Sequence, residues 1–295
     1  MKQTLNLAIA LVLWLLPLPL LAQGGVGDVG YVPTPQVTVN EMLRMAKVSS
    51  TDFVIDLGSG DGRMVITAAK KFGASGLGVD LDQELVRRSN EKAQHEGVAD
   101  RVKFLKQNLF ETDLSRATVI TSYLLPEINR KLVATLLNLR PGTRVVSHDY
   151  DMADWPSDQT KDVPVPGKID GYENFSRLYL WIVPAKIGGR WRENKQGSEA
   201  APWEFELKQT FQAFKGTARR ADQEFKLQDT KLEGEHIRFR FFADGLTRAE
   251  LNGIVKDDVI EGTLVLHKSK TEKKQPFSMK RIPDVNLNTP QPTAP

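Results

Sequence analysis

Between residues 53 and 62 the apolar positions stop alternating and run together as Phe-Val-Ile-Asp-Leu, then give way to Gly-Ser-Gly-Asp-Gly. An apolar run of that length, bounded by glycines, predicts a buried parallel strand turning into a helix. The helix should follow at once, because Met64, Val65, Ala68, Ala69 and Phe72 recur at helical spacing. The same rhythm repeats downstream. Strands are predicted at 76–80, 102–106, 117–123 and 144–147, with helices at 83–96 and from Pro126, the latter apolar at Ile128, Leu132, Val133, Leu136 and Leu137. Upstream, residues 31–35 read Tyr-Val-Pro-Thr-Pro and should be extended, since each proline pushes its predecessor out of helix. Thr38 and Glu41 have the spacing of a capping box for a short helix carrying Met42, Leu43, Met45 and Ala46. Strands alternating with helices predict an α/β fold with a doubly wound parallel sheet, finished by a hairpin within 160–183.

From about residue 185 the period shifts to two. Segments 203–207, 210–214, 225–227, 237–241 and 259–266 read as short strands punctuated by Gly216, Gly234, Gly245 and Gly262. The expected layout is an α/β domain over 31–184 and a smaller all-β C-terminal domain over 185–282, a meander or small barrel. A disordered tail is expected at 283–295. At the other end, Lys2 precedes an apolar run over 7–21 that is broken by Pro17 and Pro19 and followed by Ala22. That is the tripartite pattern of a secretory signal, 1–22, with a Gly-rich spacer at 23–30. The protein is therefore expected to be exported, either periplasmic or anchored to the membrane by an uncleaved leader.

Composition removes several function classes. A net charge of +3, without a basic stripe interleaved with aromatics, gives no reason to expect nucleic acid as a partner. Cysteine is absent, which excludes disulfides, thiolate metal sites and Cys nucleophiles. The four histidines show no ligand spacing, so no metal is expected, and Gly58-Ser59-Gly60 is not a nucleophile elbow.

The candidate chemistry sits in the glycine turn. Such a turn lets a ligand approach the backbone, and the helix after it presents free N–H groups. The second strand ends in Asp80, where a carboxylate can accept from both ribose hydroxyls, so the domain reads as nucleoside-binding. A dinucleotide is a poor fit. The fingerprint requires glycine three residues after Gly60, and that position is Arg63. The acid inside the loop, Asp61, would also face a pyrophosphate, whereas an acidic rim suits a cationic ligand with an amino-acid tail.

The run apolar-Asp56-Leu-Gly58-Ser59-Gly60-Asp61-Gly62, with Asp80 one βα unit later, resembles the class I S-adenosylmethionine-dependent methyltransferases. The resemblance implies a Rossmann-like methyltransferase sheet and S-adenosyl-L-methionine as cofactor. It assigns the methionine end to Asp56 and the glycine loop, the ribose to Asp80, and the base edge to Asn108, where the family usually has an acid. The fourth strand, ending Thr-Ser-Tyr-Leu-Leu-Pro-Glu-Ile-Asn129, and Arg-Pro-Gly-Thr-Arg-Val-Val-Ser147 are similar to the Dot1-like lysine methyltransferases. They are closer still to the small family that modifies lysines on mitochondrial membrane proteins. That likeness covers about 31–155 and implies a protein-lysine N-methyltransferase. Its acceptor would be a protein, with a membrane or cell-envelope partner expected. A small-molecule methyltransferase and an exported, non-catalytic nucleoside-binding protein stand as alternatives.

Methyl transfer from a sulfonium is an in-line displacement, so the enzyme mainly aligns the nucleophile, an effect worth about 7–11 kcal/mol. An amine must arrive deprotonated, which desolvation in an aromatic slot favours. Tyr31 and Tyr123 are the candidates for that slot, and Glu127 for orienting the amine. His148 and Asp149 read either as an acid–base pair or as a hydrogen-bonded strand end.

Overall fold

The computed structural model describes residues 30–168, 174–195 and 200–283; the leader, the spacer up to residue 29 and the tail from 284 lie outside the described residues. Five parallel strands, β1 (Phe53–Leu57), β2 (Ser75–Asp80), β3 (Val102–Lys106), β4 (Val119–Ser122) and β5 (Arg144–His148), form most of the first sheet. An antiparallel hairpin of β6 (Gln159–Pro164) and β7 (Phe175–Ile182) completes seven strands in the order 3-2-1-4-5-7-6. The winding reverses between β1 and β4, and the crevice outside their C-terminal ends is where such sheets take ligands.

Register decides which side chains face which layer. Val54 lies beside Val119, and Ile55 beside Ile120, so successive residues point to opposite faces. On one face Val54, Val119, Val146 and Leu180 pack under α1 (Gln36–Met45) and α2 (Arg63–Phe72), and α3 (Gln83–His95) packs beside them over Phe104. On the other, Ile55, Ile120, Val145 and Trp181 pack under α4 (Pro126–Leu136) through the Leu132 and Leu136 stripe. One expectation fails here. Thr38 is no N-cap: α1 begins two residues earlier, behind Pro35, and the buried Thr38 hydroxyl donates to Ser176 Oγ at 3.2 Å.

The second sheet is wholly antiparallel. Its strands are β8 (Gly189–Glu193), β9 (Glu204–Thr210), β10 (Ala213–Arg220), β11 (Gln223–Lys226), β12 (Gln228–Glu233), β13 (His236–Phe242), β14 (Thr247–Lys256), β15 (Val259–Lys268) and β16 (Thr271–Ile282), in the order 11-10-9-8-16-15-14-13-12. Leu227 alone separates β11, which pairs with β10, from β12, which pairs with β13. The two edges are also tied directly, by Leu227 N–H to Gly216 C=O (2.9 Å) and the Thr230 hydroxyl to Phe214 C=O (2.8 Å). The meander therefore curls into a nearly closed barrel, which removes most of its exposed edge. Trp191, Trp203, Phe205, Phe239 and Phe241 fill the interior, with edge-on ring contacts such as Trp203 on Phe241 at 4.9 Å.

The strand expected at 210–214 is instead the tight turn between β9 and β10. Phe211 takes φ 53 there and leaves the barrel to stack on Trp155 of the first sheet at 6.4 Å. Trp155 packs on Trp181 at 5.9 Å, and its indole N–H donates to Gln212 Oε1 at 3.0 Å. Ala185 N–H donates to Gly234 C=O, closing a second contact between the sheets.

Candidate active site

The loop 58–62 is held open by backbone geometry. Gly58, Gly60 and Gly62 have φ of 77, 52 and 76, a region in which an L side chain is strained. The N–H groups of Gly58 and Ser59 both donate to Val79 C=O, at 3.0 and 2.9 Å, locking the loop to the end of β2. A Cβ on Gly60 would collide with the Tyr31 ring, which lies directly over it. Asp80 finishes the arrangement: its carboxylate accepts the N–H of Gly60 at 2.8 Å and that of Asp82 at 3.0 Å. A carboxylate has room for about four such bonds, so two acceptor sites remain.

Three acids meet at this floor, in different states. Asp56 is buried and accepts the Thr121 hydroxyl at 2.7 Å. Burial pushes its pKa up to about 7; the nearby charges of Asp80 and Asp61 push the same way, and only the Thr121 bond opposes them. Asp61 behaves oppositely. Burial works against its ionised form, yet the Arg63 fork (2.8 and 2.9 Å) and Lys92 (3.2 Å) hold it below the usual carboxylate range. Arg63 also donates to Thr34 C=O at 2.8 Å, which fastens the 31–35 segment over the loop. Burial raises the Tyr31 phenol, and Asp61 beside it adds to the shift.

A cavity of about 270 Å³ opens between these groups. Asp56, Gly58, Ser59, Gly60, Asp61, Asp80 and Asn108 all line it; Gly62 sits behind the loop as the residue preceding α2. Asn108 caps a single 3₁₀ turn, Leu109–Glu111, accepting Phe110 N–H at 3.0 Å and donating to Glu111 at 3.3 Å. The turn lifts Phe110 into solvent at the cavity mouth, across from Leu81. Neither apolar side chain stood out in the sequence, although Leu81 between two aspartates, just before the α3 cap, is a position where a polar residue is the norm. Two more lining groups were missed as contacts. The hydroxyls of Ser59 and Ser122 are buried and have no hydrogen-bond partner among the described residues, as expected of groups waiting for a ligand.

The acceptor side is built from three segments brought together above β4 and β5. Tyr31 and Tyr123 line the cavity, and the Tyr123 ring lies 4.0 Å from His148 and 6.2 Å from Tyr150. His148 is fully buried, with Nδ1 3.1 Å from the Thr34 hydroxyl and Nε2 2.8 Å from the Ser176 hydroxyl. It is the hydrogen-bonded strand end rather than an acid facing the cavity. Asp149 Oδ1 accepts Arg177 N–H at 2.9 Å, and Oδ2 pairs with Lys168. Glu127 is not brought in: it is exposed on the first turn of α4 and does not line the cavity.

Comparison with known proteins places this geometry. A family model described as the ANTKMT methyltransferase domain matches residues 56–159. A protein-lysine N-methyltransferase of Saccharolobus islandicus is 42% identical over 160 residues, which is 54% of this chain and 96% of that protein. An ATP synthase lysine N-methyltransferase of Xenopus laevis is 33% identical over 132 residues, which is 43% of this chain and 56% of that protein. Among solved structures, an RNA methyltransferase from Salinibacter ruber in complex with S-adenosyl-L-homocysteine is 47% identical, covering 53% of this chain and 96% of that one, with a TM-score of 0.48.

Proposed function

The chain belongs to the protein-lysine N-methyltransferase family, and from that membership we propose that the cavity at the ends of β1, β2 and β4 is where a methyl passes from S-adenosylmethionine to a lysine side chain of a protein. The observation that carries this reading is a single cavity lined by partly engaged acceptors on one side and by tyrosine rings on the other.

When bound, the donor supplies an electrophilic methyl on a good leaving group. The rest falls to the protein's own groups. Asp80 is fixed by two backbone N–H bonds and keeps acceptor sites for the ribose hydroxyls. Asp56 and the loop face the methionine end. A cationic ammonium next to Asp56 would draw its carboxyl back to the ionised form. Ser59 and Ser122 supply hydroxyls whose burial without a partner costs about 1–3 kcal/mol each, a cost that a ligand's polar atoms relieve. Leu81 and Phe110 offer an apolar slot for the base, beside the Asn108 amide. On the acceptor side, Tyr31 and Tyr123 exclude water, which favours the neutral amine, and their ring faces hold a methylated, cationic product.

Incubating the full chain with radiolabelled S-adenosylmethionine and cell-envelope fractions tests the reading. Label is expected in protein and should be recovered as methyl-lysine after hydrolysis. Label confined to RNA or to small solutes would overturn it. We further infer from the apolar run at 7–21 that the acceptor is met on the exported side of a membrane. Fractionation should then find the chain in the envelope, and a purely cytoplasmic pool would refute that placement.

A further inference from the structure

Leu246 is the most exposed large apolar side chain among the described residues, at 78%, and Phe242, at 40%, lies on the same hairpin between β13 and β14. The hairpin holds Leu246 out by construction. Asp244 Oδ1 accepts the N–H groups of Leu246 (2.8 Å) and Thr247 (2.6 Å), while Oδ2 accepts the Thr247 hydroxyl (3.0 Å). Ala243 N–H closes the loop onto Thr247 C=O at 2.8 Å. A turn pinned this way cannot fold Leu246 back onto the barrel.

The register of β14, β15 and β16 sets cations around this tip. Thr247 lies beside Lys268, Arg248 beside His267, and Leu266 beside Lys273, with Lys270 in the adjoining turn. Arg248, Lys268, Lys270 and Lys273 are all exposed and have no ion-pair partner among the described residues. The nearby acids are engaged elsewhere: Asp244 in its own turn, and Glu272 with Lys274 (3.1 Å) and His267 (3.6 Å). Along the barrel wall the pattern is different, since Arg192, Arg219, Arg240 and Arg281 are each paired with a carboxylate. The tip also points away from the first sheet. β13 starts next to Gly234, at the junction, and its length carries the chain roughly 20 Å outward to Phe242.

We propose that this end of the barrel docks on an anionic phospholipid surface, with Leu246 and Phe242 entering the headgroup boundary and the four cations meeting lipid phosphates. The chemistry selects a bilayer over other anionic partners. An aliphatic side chain standing alone on a stiff turn needs a soft apolar medium rather than a shaped pocket, and unpaired cations around it gain most at a charged sheet. A single strand of nucleic acid would call for exposed aromatic stacking platforms, and the tip's main protrusion is a leucine.

The chain has no cysteine, so Leu246→Cys gives the full-length protein a single thiol for an environment-sensitive fluorophore. Lys215→Cys, exposed on the barrel wall, is the control. Vesicles of equal parts phosphatidylglycerol and phosphatidylcholine should blue-shift the label at 246 and leave that at 215 unchanged; phosphatidylcholine alone should shift neither. Combining Leu246→Cys with Lys268→Glu, Lys270→Glu and Lys273→Glu should weaken the vesicle response on the order of a hundredfold. No shift at 246, an equal shift on the zwitterionic vesicles, or indifference to charge reversal would overturn the proposal. So would a shift produced by RNA or an acidic polypeptide but not by vesicles. The readout involves no methyl transfer, so it stands or falls separately from the catalytic assignment.

Discussion

At the strand ends of the first sheet, polar groups are left with bonding capacity: Ser59 and Ser122 have no partners among the described residues, Asp80 is half-engaged, and Asp56 is buried with a pKa of about 7. Inside the barrel, the opposite holds. Trp191 donates its indole N–H to Ile187 C=O at 2.8 Å, and the aromatic interior packs ring edge against ring face. Both regions are well buried, so burial alone does not mark a site. What separates them is unused hydrogen-bonding capacity, which native interiors rarely leave without a purpose. The barrel's contribution lies at its two ends: one covers Trp155 and Trp181 of the first sheet, and the other carries Leu246 and its cations.

The strongest way to break this comparison is to fill the one place that must stay empty. Gly60→Val puts a branched side chain at φ 52 and into the Tyr31 ring. Binding of S-adenosylmethionine, measured by calorimetry, should disappear while the far-ultraviolet dichroism stays native. Asp80→Ala should do nearly as much, on the order of a thousandfold, because it removes the Gly60 anchor together with two charged acceptor sites. Normal binding by either variant would mean that the cavity is not the donor site.

The junction comes next. Trp155 is buried between Trp181 and Phe211, so Trp155→Ala should cost about 3–5 kcal/mol in denaturant unfolding. The loss should be felt in both sheets as one transition. Two separated transitions, with only one displaced, would show that the barrel rides on the first sheet without stabilising it.

Asp56 gives a smaller, pH-dependent effect. Its folded pKa lies above the ordinary 3.8, so its contribution to stability is fully present below about pH 3.8 and is lost as pH rises through about 7. Donor binding should run the other way. An ammonium beside Asp56 lowers that pKa again, so the complex holds fewer protons and affinity should climb, by up to about tenfold per unit, as pH approaches 7. Calorimetry in buffers of different ionisation enthalpy should register proton release near pH 6, and Asp56→Asn should abolish both trends. An affinity flat between pH 5 and 8 in the unsubstituted protein would contradict the assignment.

The first sheet was legible because its signals are local: an apolar strand, a glycine turn and a helical stripe follow each other within 53–72, and α4 packs through the very residues its period picks out. Much of the barrel was not. β14 shows a weak alternation because Ala249 and Gly253 are small, and β16 opens on charged residues and contains Pro276. A proline is tolerated there because β8 pairs only with Met279–Ile282, leaving the strand's other edge free at 276. In the site, the glycine loop and Asp80 were readable from spacing. The orphaned serines were not, since the absence of a partner is a property of packing, and a serine in sequence looks the same whether or not it is satisfied.

The smallest expected effect concerns Glu127, and it tests the comparison from its quiet side. Sequence placed this acid near the acceptor because it follows the fourth strand by a few residues. The fold instead sets it in the first turn of α4, where it complements the helix dipole in solvent, an interaction worth about 0.3–1 kcal/mol. Glu127→Gln should therefore leave kcat and KM for methyl transfer within about twofold and lower stability by no more than that dipole contribution. Tyr123→Phe makes the matched control. It keeps the ring against His148 and in the cavity lining, so if the face of the ring is what confines the amine, its effect should also be small, whereas Tyr123→Ala should raise KM steeply. A large loss of kcat in Glu127→Gln alone would mean that α4 swings inward when the acceptor binds, and the acceptor side would then have to be rebuilt around a carboxylate instead of around rings.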